Sequence, residues 1–127
     1  MAAEVQKLTG GKGVNVIIEN VAADNLAKDL AIIARDGRII IIGTGTGKGP
    51  EGSFAVMHAL MKDVNILGMS LVNAGPVIAE MATALTGLFT TGKIKSIISK
   101  SYPLADAQQA LADLVAGRVF GKLVLHP

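Results

Sequence analysis

Two short runs of consecutive apolar residues flank a segment whose apolar positions recur at helical spacing. Residues 14–18 and residues 39–42 are rich in valine and isoleucine. Such β-branched, nearly uninterrupted runs are typical of strands covered on both faces in a parallel sheet. Between them, leucine and isoleucine residues fall on one face of a helix over residues 25–35. We expect Asp24 to cap this helix and Gly37 to end it.

The alternation of helices and strands continues to the end of the chain. Pro76 suits the first turn of a long helix that ends before Gly92, and Ser53 is placed to cap a short one. Further helices are predicted over residues 3–8, 54–62 and 104–116, and further strands over residues 64–72, 96–102 and 122–126. This alternation predicts an α/β fold with a mainly parallel sheet and flanking helices.

The composition fits one globular domain. The chain has 127 residues, of which 50% are hydrophobic and 17% are charged, and a chain of this length buries roughly two-thirds of its unfolded surface. No apolar run approaches the roughly 18 to 20 residues that span a bilayer, and the first residues lack the pattern of a secretion signal. Because the chain also has no cysteine, we expect a cytoplasmic protein with no membrane partner.

The charge distribution gives no sign of a nucleic-acid site. The formal net charge is +2, but the lysines are dispersed along the chain. The aromatic residues are three phenylalanines and one tyrosine, too few for a base-stacking surface. We therefore expect no nucleic-acid partner.

A glycine-rich loop, Gly43-Thr-Gly-Thr-Gly-Lys-Gly49, follows the second predicted strand. Glycine lets backbone N–H groups approach an anion closely, and Lys48 adds positive charge. The loop is not a P-loop, because only three residues separate Gly43 from Gly47 and a glycine follows the lysine. Its place beyond the carboxyl end of a parallel strand favours a ligand role, with a flexible connection as the alternative.

Polar or exposed groups also follow the other predicted strands. Asn20 and Asn25 lie between the first strand and its helix, where amides either contact a ligand or satisfy a turn. Met69, Ser70 and Leu71 end the third strand, where their backbone either faces a cofactor or continues a ladder. Spacing alone leaves these alternatives open.

Other chemistry finds little support in the spacing of residues. Ser70 lacks the second glycine of a nucleophile elbow. His58 and His126 are isolated from each other and from any carboxylate-rich cluster, so no metal site is predicted. Tyr102, which precedes Pro103, is expected to donate a structural hydrogen bond. No catalytic residue is predicted.

Several short motifs follow one another over residues 4–127. They are Leu8-Thr-Gly-Gly-Lys-Gly-Val14, Glu19-Asn-Val, Asn25-Leu-Ala-Lys-Asp-Leu30, Gly37-Arg-Ile-Ile-Ile-Ile-Gly43, Ile66-Leu-Gly-Met-Ser-Leu71, Tyr102-Pro-Leu104 and Gly121-Lys-Leu-Val-Leu125. In their order and separation they resemble the carboxyl-terminal part of quinone oxidoreductases, the zeta-crystallin branch of the medium-chain dehydrogenase/reductase superfamily.

The resemblance implies a partial Rossmann-like fold for a single domain of residues 1–127. Residues 1–95 would be the second half of an NAD(P)-binding domain, and residues 96–127 a segment that returns to the catalytic domain. Enzymes of this branch are zinc-independent and use NADPH to reduce quinones or other electron-poor acceptors. The implied cofactor contacts are Asn25, the turn Ile42, Gly43, Thr44 and Gly45, the strand end Met69, Ser70 and Leu71, and Lys122.

The glycine fingerprint and the catalytic domain of that family are not part of the matched motifs. Hydride transfer needs both walls of a cleft and an anchor for the pyrophosphate. We therefore expect an inactive chain with weak or no NADPH binding, completed by a missing N-terminal catalytic half or by a homo-oligomer partner. The alternative is a non-enzymatic dimerisation or interaction module derived from the same fold.

Overall fold

The computed structural model describes residues 1–45 and 49–127, which form two compact units, Met1–Pro76 and Val77–Pro127. Both units contain parallel strands and helices, so the predicted α/β class is confirmed. The predicted division after residue 95 assigns the two parts of the chain to different domains of a larger enzyme. That assignment stays a prediction.

The first unit is a three-stranded parallel sheet with helices in its connections. The strand order is β1-β2-β3, with β2 in the centre. A 3-10 helix follows the last strand. In chain order the elements are α1 Ala2–Leu8, β1 Val14–Glu19, α2 Ala22–Ile32, β2 Ile33–Ile41, α3 Val56–Leu60, β3 Asn65–Gly68 and the 3-10 helix Leu71–Val77.

The core of this unit forms where α2 packs on the central strand. Ile39 in β2 pairs with Ile17 of β1 and Ile66 of β3, and its side chain is fully buried. Leu30 of α2 is equally buried, and Ile33 retains 1% of its exposure. These apolar side chains anchor the central strand, and pairing on both sides brings the carboxyl ends of three strands to one edge.

The junction between α2 and β2 differs from the prediction. Asp24 lies in the first turn of α2 and the N-cap is Val21, so the predicted cap is wrong. The helix ends at Ile32, where Lys62 Nζ donates hydrogen bonds to carbonyl oxygens of the last turn and of the residue after it. Gly37 therefore lies within β2, not at the helix end, close against the Ile33 side chain.

Two further predicted boundaries are wrong. Helix α3 begins after Ala55, its N-cap, not after Ser53. Strand β3 ends at Gly68, although Met69 N–H still donates to the carbonyl oxygen of Ile41 at 2.9 Å. Beyond that hydrogen bond the chain turns into the 3-10 helix, so residues 69–72 are not the predicted strand end.

The second unit contains a two-stranded parallel sheet and two α-helices. The elements are α4 Ile78–Thr90, β4 Ile98–Pro103, the 3-10 helix Leu104–Asp106, α5 Ala107–Val115 and β5 Lys122–His126. The buried Tyr102 donates a hydrogen bond to Asp113 of α5, which confirms its predicted structural role. This hydrogen bond holds the pKa of Asp113 below its ordinary value.

One helical stretch, Leu71–Thr90, passes a length and composition test for a membrane span, with a mean hydropathy of 1.3. Asn73 and Glu80 interrupt its apolar run, so the pattern of apolar residues did not indicate a span. Such a test also selects apolar helices that pack against protein. It is weak evidence for a membrane location.

The core packing predicts the effect of truncating Leu30. We expect Leu30→Ala to lower the free energy of unfolding by about 2–5 kcal/mol, because it removes a fully buried side chain and leaves a cavity. The control Leu60→Ala, at a position with 65% exposure, should cost about 0.5 kcal/mol or less. Urea denaturation of both variants checks this, and equal losses would contradict the described core.

Lys62 should stabilise the end of α2 through its ammonium group. We expect Lys62→Met to lower the free energy of unfolding by about 1–3 kcal/mol, because the carbonyl oxygens of Leu30 and Ile33 lose a charged donor. Lys12→Met, at an exposed position, is the matched control and should change stability little. An unchanged midpoint for Lys62→Met would show that water replaces these hydrogen bonds at no cost.

Candidate functional site

The turn after β1 and the loop after β2 are joined by backbone hydrogen bonds at the carboxyl edge of the sheet. Ile42 N–H donates to the carbonyl oxygen of Glu19 at 2.8 Å. Ala22 N–H donates to the Gly43 carbonyl at 3.3 Å, and Ala23 N–H donates to Thr44 at 2.7 Å. The first residues of the glycine-rich loop are therefore fixed by the turn that opens α2.

Gly43 is required by this close approach. A Cβ atom at that position would overlap the carbonyl oxygen of Asn20, so any other residue would push the loop away from the turn. Gly45 lies beside Asp24, and a Cβ there would be 3.2 Å from the carboxylate oxygen Oδ2. Lys48, the predicted charge of the loop, lies outside the described residues.

An open groove of about 500 Å³ lies between the ends of β2 and β3. One wall is the start of the glycine-rich loop and the other is the segment between β3 and the following 3-10 helix. The groove contains six of the nine predicted cofactor contacts, namely Ile42, Gly43, Thr44, Met69, Ser70 and Leu71. The structure therefore brings together residues 42–44 and 69–71, which 24 residues of sequence separate.

The described lining of the groove combines apolar side chains with the uncharged polar residues Thr44, Ser70 and Asn73. Met69 and Leu71 are 50% and 63% exposed, and Ser70 Oγ accepts a hydrogen bond from Val72 N–H at 3.3 Å. None of the described lining residues is ionisable. The groove can bind and orient a flat, weakly polar group, but its described lining supplies no acid or base.

The other three predicted contacts lie outside the groove. Asn25 is in the first turn of α2, where its side-chain oxygen accepts a hydrogen bond from Lys28 Nζ at 3.1 Å. Gly45 follows the groove-lining part of the loop. Lys122 belongs to the second unit, as the first residue of β5. Contact of these residues, and of the six in the groove, with a cofactor stays a prediction.

Several groove residues were not predicted from the sequence. Ile41, Gly68, Val72 and Asn73 complete the lining; the last two line it because the chain turns at the end of β3 where a continuing strand was expected. The signal was present in Asn73-Ala-Gly-Pro76, a sequence rich in turn-forming residues. A smaller depression of about 220 Å³ near the start of α2 is lined by residues that include Pro50 and Gly52, which were also not predicted.

Two interacting carboxyl groups are buried, Glu19 at the end of β1 and Asp29 in α2. Glu19 and Asp29 retain 6% and 3% of their exposure, and Glu19 Oε1 accepts a hydrogen bond from Val21 N–H. Burial, together with the hydrogen bond and charge of Glu19, raises the pKa of Asp29 to about 6. No pattern of spacing pointed to this pair; the one signal was a carboxylate at the end of a buried strand.

The described residues offer no cluster of three or more histidine, cysteine, aspartate or glutamate side chains that could hold a metal ion. The two histidines lie in different units, His58 in α3 and His126 in β5.

Comparisons with known proteins identify the family. A family model described as zinc-binding dehydrogenase matches residues 2–125. Human quinone oxidoreductase is 31% identical over 126 residues, which cover 96% of this chain and 36% of the relative. The chain thus spans about a third of the length of the curated relatives it matches.

Solved structures agree with the sequence comparison. A quinone oxidoreductase from Pseudomonas syringae pv. Tomato DC3000 superposes with a TM-score of 0.72 at 28% identity, covering all of this chain and 40% of that one. A mycobacterial protein in complex with NADPH gives a TM-score of 0.74 at 29% identity, covering 99% of this chain and 40% of that one.

The family description mentions zinc, but the residues present here do not fit that metal. Zinc sites in proteins use cysteine, histidine and carboxylate ligands placed together, and this chain has no cysteine and no such cluster in its described part. The matched family, the relatives and the parallel sheet agree, and this chain belongs to the zinc-binding dehydrogenase family, within which it is similar to the carboxyl-terminal part of quinone oxidoreductases.

Proposed function

We propose that this chain carries the nicotinamide-side half of an NADPH site in a zinc-independent, quinone oxidoreductase-like enzyme. The observation that carries the proposal is the groove between the ends of β2 and β3. Open parallel sheets bind ligands beyond the carboxyl ends of their strands, and the groove lies at that edge. Its apolar side chains suit a nicotinamide ring, and the polar residues Thr44, Ser70 and Asn73 suit the carboxamide.

The described groove residues would bind and orient the ring without taking part in proton transfer. Exposed Met69 and Leu71 would cover a ring face, and the loop at Gly43 and Thr44 is held by α2 through two backbone hydrogen bonds. A bound reduced nicotinamide would supply a hydride to an electron-poor acceptor such as a quinone. The described lining offers no general acid, so acceptor binding and any protonation fall to groups outside this groove.

We also propose that the functional unit includes a second protein part. Within the described residues β1 and β3 each pair with β2 alone, and β4 pairs with β5 alone. A two-stranded sheet is marginal by itself, and parallel sheets are normally covered on both faces. The catalytic half of a quinone oxidoreductase-like enzyme would provide such cover, and the cytoplasm is the compartment we assign to the assembly.

The alternative function, a non-enzymatic dimerisation module, has one observation in its favour. The edge strand β3 carries Leu67 with 47% exposure, and Met69 just after the strand is 50% exposed. An exposed apolar edge strand can pair with the same strand of a second copy.

The half-site proposal predicts which fragment of NADPH binds. In a ¹⁵N NMR titration of the full chain, reduced nicotinamide mononucleotide should perturb the amides of Gly43, Thr44 and Ser70 about as strongly as NADPH does, with dissociation constants near the millimolar range, around −4 kcal/mol. Adenosine 2′,5′-bisphosphate should leave these amides unchanged. Micromolar NADPH binding, or perturbation by the adenosine fragment alone, would contradict a nicotinamide-side half-site.

A groove-filling substitution tests the location of binding. A side chain at Gly68 would meet nothing within 4 Å, so Gly68→Val should fold while occupying the groove. We expect it to weaken nicotinamide mononucleotide binding at least about fivefold, or about 1 kcal/mol. Gly87→Val in α4, where a Cβ also meets open space, is the matched control. Equal affinities for both variants would place binding elsewhere.

Light scattering on the purified chain tests the alternative. A dimerisation module should be dimeric at micromolar concentration and become monomeric in Leu67→Lys, because a lysine on β3 opposes edge pairing. Leu60→Lys, on exposed α3, is the control and should remain dimeric. A wild-type chain that is monomeric over the full concentration range would exclude this alternative.

A further inference from the structure

Glu19 and Asp29 form an unusual buried pair, because no lysine or arginine of the described residues donates a hydrogen bond to either carboxyl group. Glu19 uses Oε1 to accept from the backbone N–H of Val21, and Asp29 Oδ2 has no hydrogen-bond partner among the described residues. Two ionised carboxylates in such a place would be strongly unfavourable. One proton held by the pair removes the repulsion.

The pair is joined by a hydrogen bond of Glu19 to the turn that fixes the start of the glycine-rich loop. Glu19 ends β1, and its side chain holds the N–H of Val21 at the start of the turn. The next two N–H groups, of Ala22 and Ala23, hold the carbonyl groups of Gly43 and Thr44. The amide that Glu19 holds is therefore followed directly along the backbone by the two amides that hold Gly43 and Thr44.

The charges around the pair leave it sensitive to protonation. Lys28, on the same helix, is the cation that acts on Asp29, and it opposes the effect of Glu19. Two nearby cations have other partners. Lys62 donates hydrogen bonds to the end of α2, and Arg35 forms an ion pair with Asp63. The remaining ionisable residues of the elements that pack on α2 are Glu4 and Lys7 in α1, Asp36 and Arg38 in β2, and His58 in α3.

We propose that Glu19 and Asp29 are positioning residues that fix Gly43 and Thr44, at the start of the glycine-rich loop, only while the two carboxyl groups share a proton. In the protonated state the turn holds Gly43 and Thr44 in the conformation described above. Loss of the proton leaves Glu19 and Asp29 both ionised. Their repulsion weakens the hydrogen bonds of the turn to Gly43 and Thr44. The inference rests on the proposed function, because it assigns a control of affinity to the nicotinamide groove.

The direction of the pH dependence follows from the raised pKa of Asp29, about 6. The folded chain binds the proton more tightly than the unfolded chain does, so this group's contribution to stability is largest at low pH. That contribution decreases as the pH rises from about 4 towards 6. The ordering of Gly43 and Thr44 by the turn, and the affinity for the dinucleotide, should both decrease over the upper part of the same pH range.

The test compares the wild type with Asp29→Asn, a neutral side chain of the same shape. We expect the dissociation constant of NADP⁺ for the full chain to rise at least threefold from pH 5.5 to pH 7.5. In Asp29→Asn this rise should be absent, because the half-site proposed above does not contact the ligand's 2′-phosphate. The difference between the two proteins isolates the pair.

Asp36→Asn is the matched control. It removes an exposed carboxylate from the same unit, and asparagine tolerates the positive φ of 57° at this position. It should keep the pH dependence of the wild type. Glu19→Gln serves as a second variant, because the amide retains the acceptor for Val21 N–H and can donate to Asp29. In Glu19→Gln, the pH at which Asp29 titrates should be lower than in the wild type.

NMR of the unliganded chain separates failure of this inference from failure of the proposed function. The amide resonances of Val21, Ala22 and Gly43 should titrate together near pH 6 in the wild type and not in Asp29→Asn. Absence of this titration, or its persistence in Asp29→Asn, overturns the positioning role. Absence of dinucleotide binding at every pH overturns the proposed function, while the amide titration still decides the role of the pair.

Discussion

Hydrogen bonding of the central strand β2 on both sides is the constraint on which the first unit depends. Ile39 is fully buried and pairs with Ile17 and Ile66, so a change in register would remove the core contact of all three strands. The parallel register also brings the strand ends to one edge. The turn after β1, the loop after β2 and the segment after β3 meet there because the core fixes the strands beneath them.

The groove at this edge offers binding groups but no catalytic acid or base among its described residues. Its described lining is apolar or uncharged polar, with no ionisable residue, so it suits recognition of a ring and not chemistry on it. The chain covers about a third of its curated relatives. We have proposed that this chain orients the nicotinamide and that another protein part binds the acceptor and the rest of the dinucleotide.

Much of the first unit could be predicted from the sequence because valine and isoleucine runs are specific for buried parallel strands. The end of α2 could not, since Ile32 and Ile33 fit a helix and a strand equally well. The choice is made by Lys62, which is distant in sequence and caps the helix at Ile32. Likewise, six predicted contacts share one groove because parallel strands share an edge, whereas the pairing of Glu19 with Asp29 depends on burial that periodicity does not report.

The nicotinamide end of the dinucleotide is proposed to occupy the groove between β2 and β3. Intermolecular nuclear Overhauser effects between NADPH and the full chain report whether it does. We expect contacts from the dihydronicotinamide protons to the Met69 methyl group and to Leu71, with none from the adenine ring to these side chains. Adenine contacts in the groove, or nicotinamide contacts confined to other residues, would contradict the proposal.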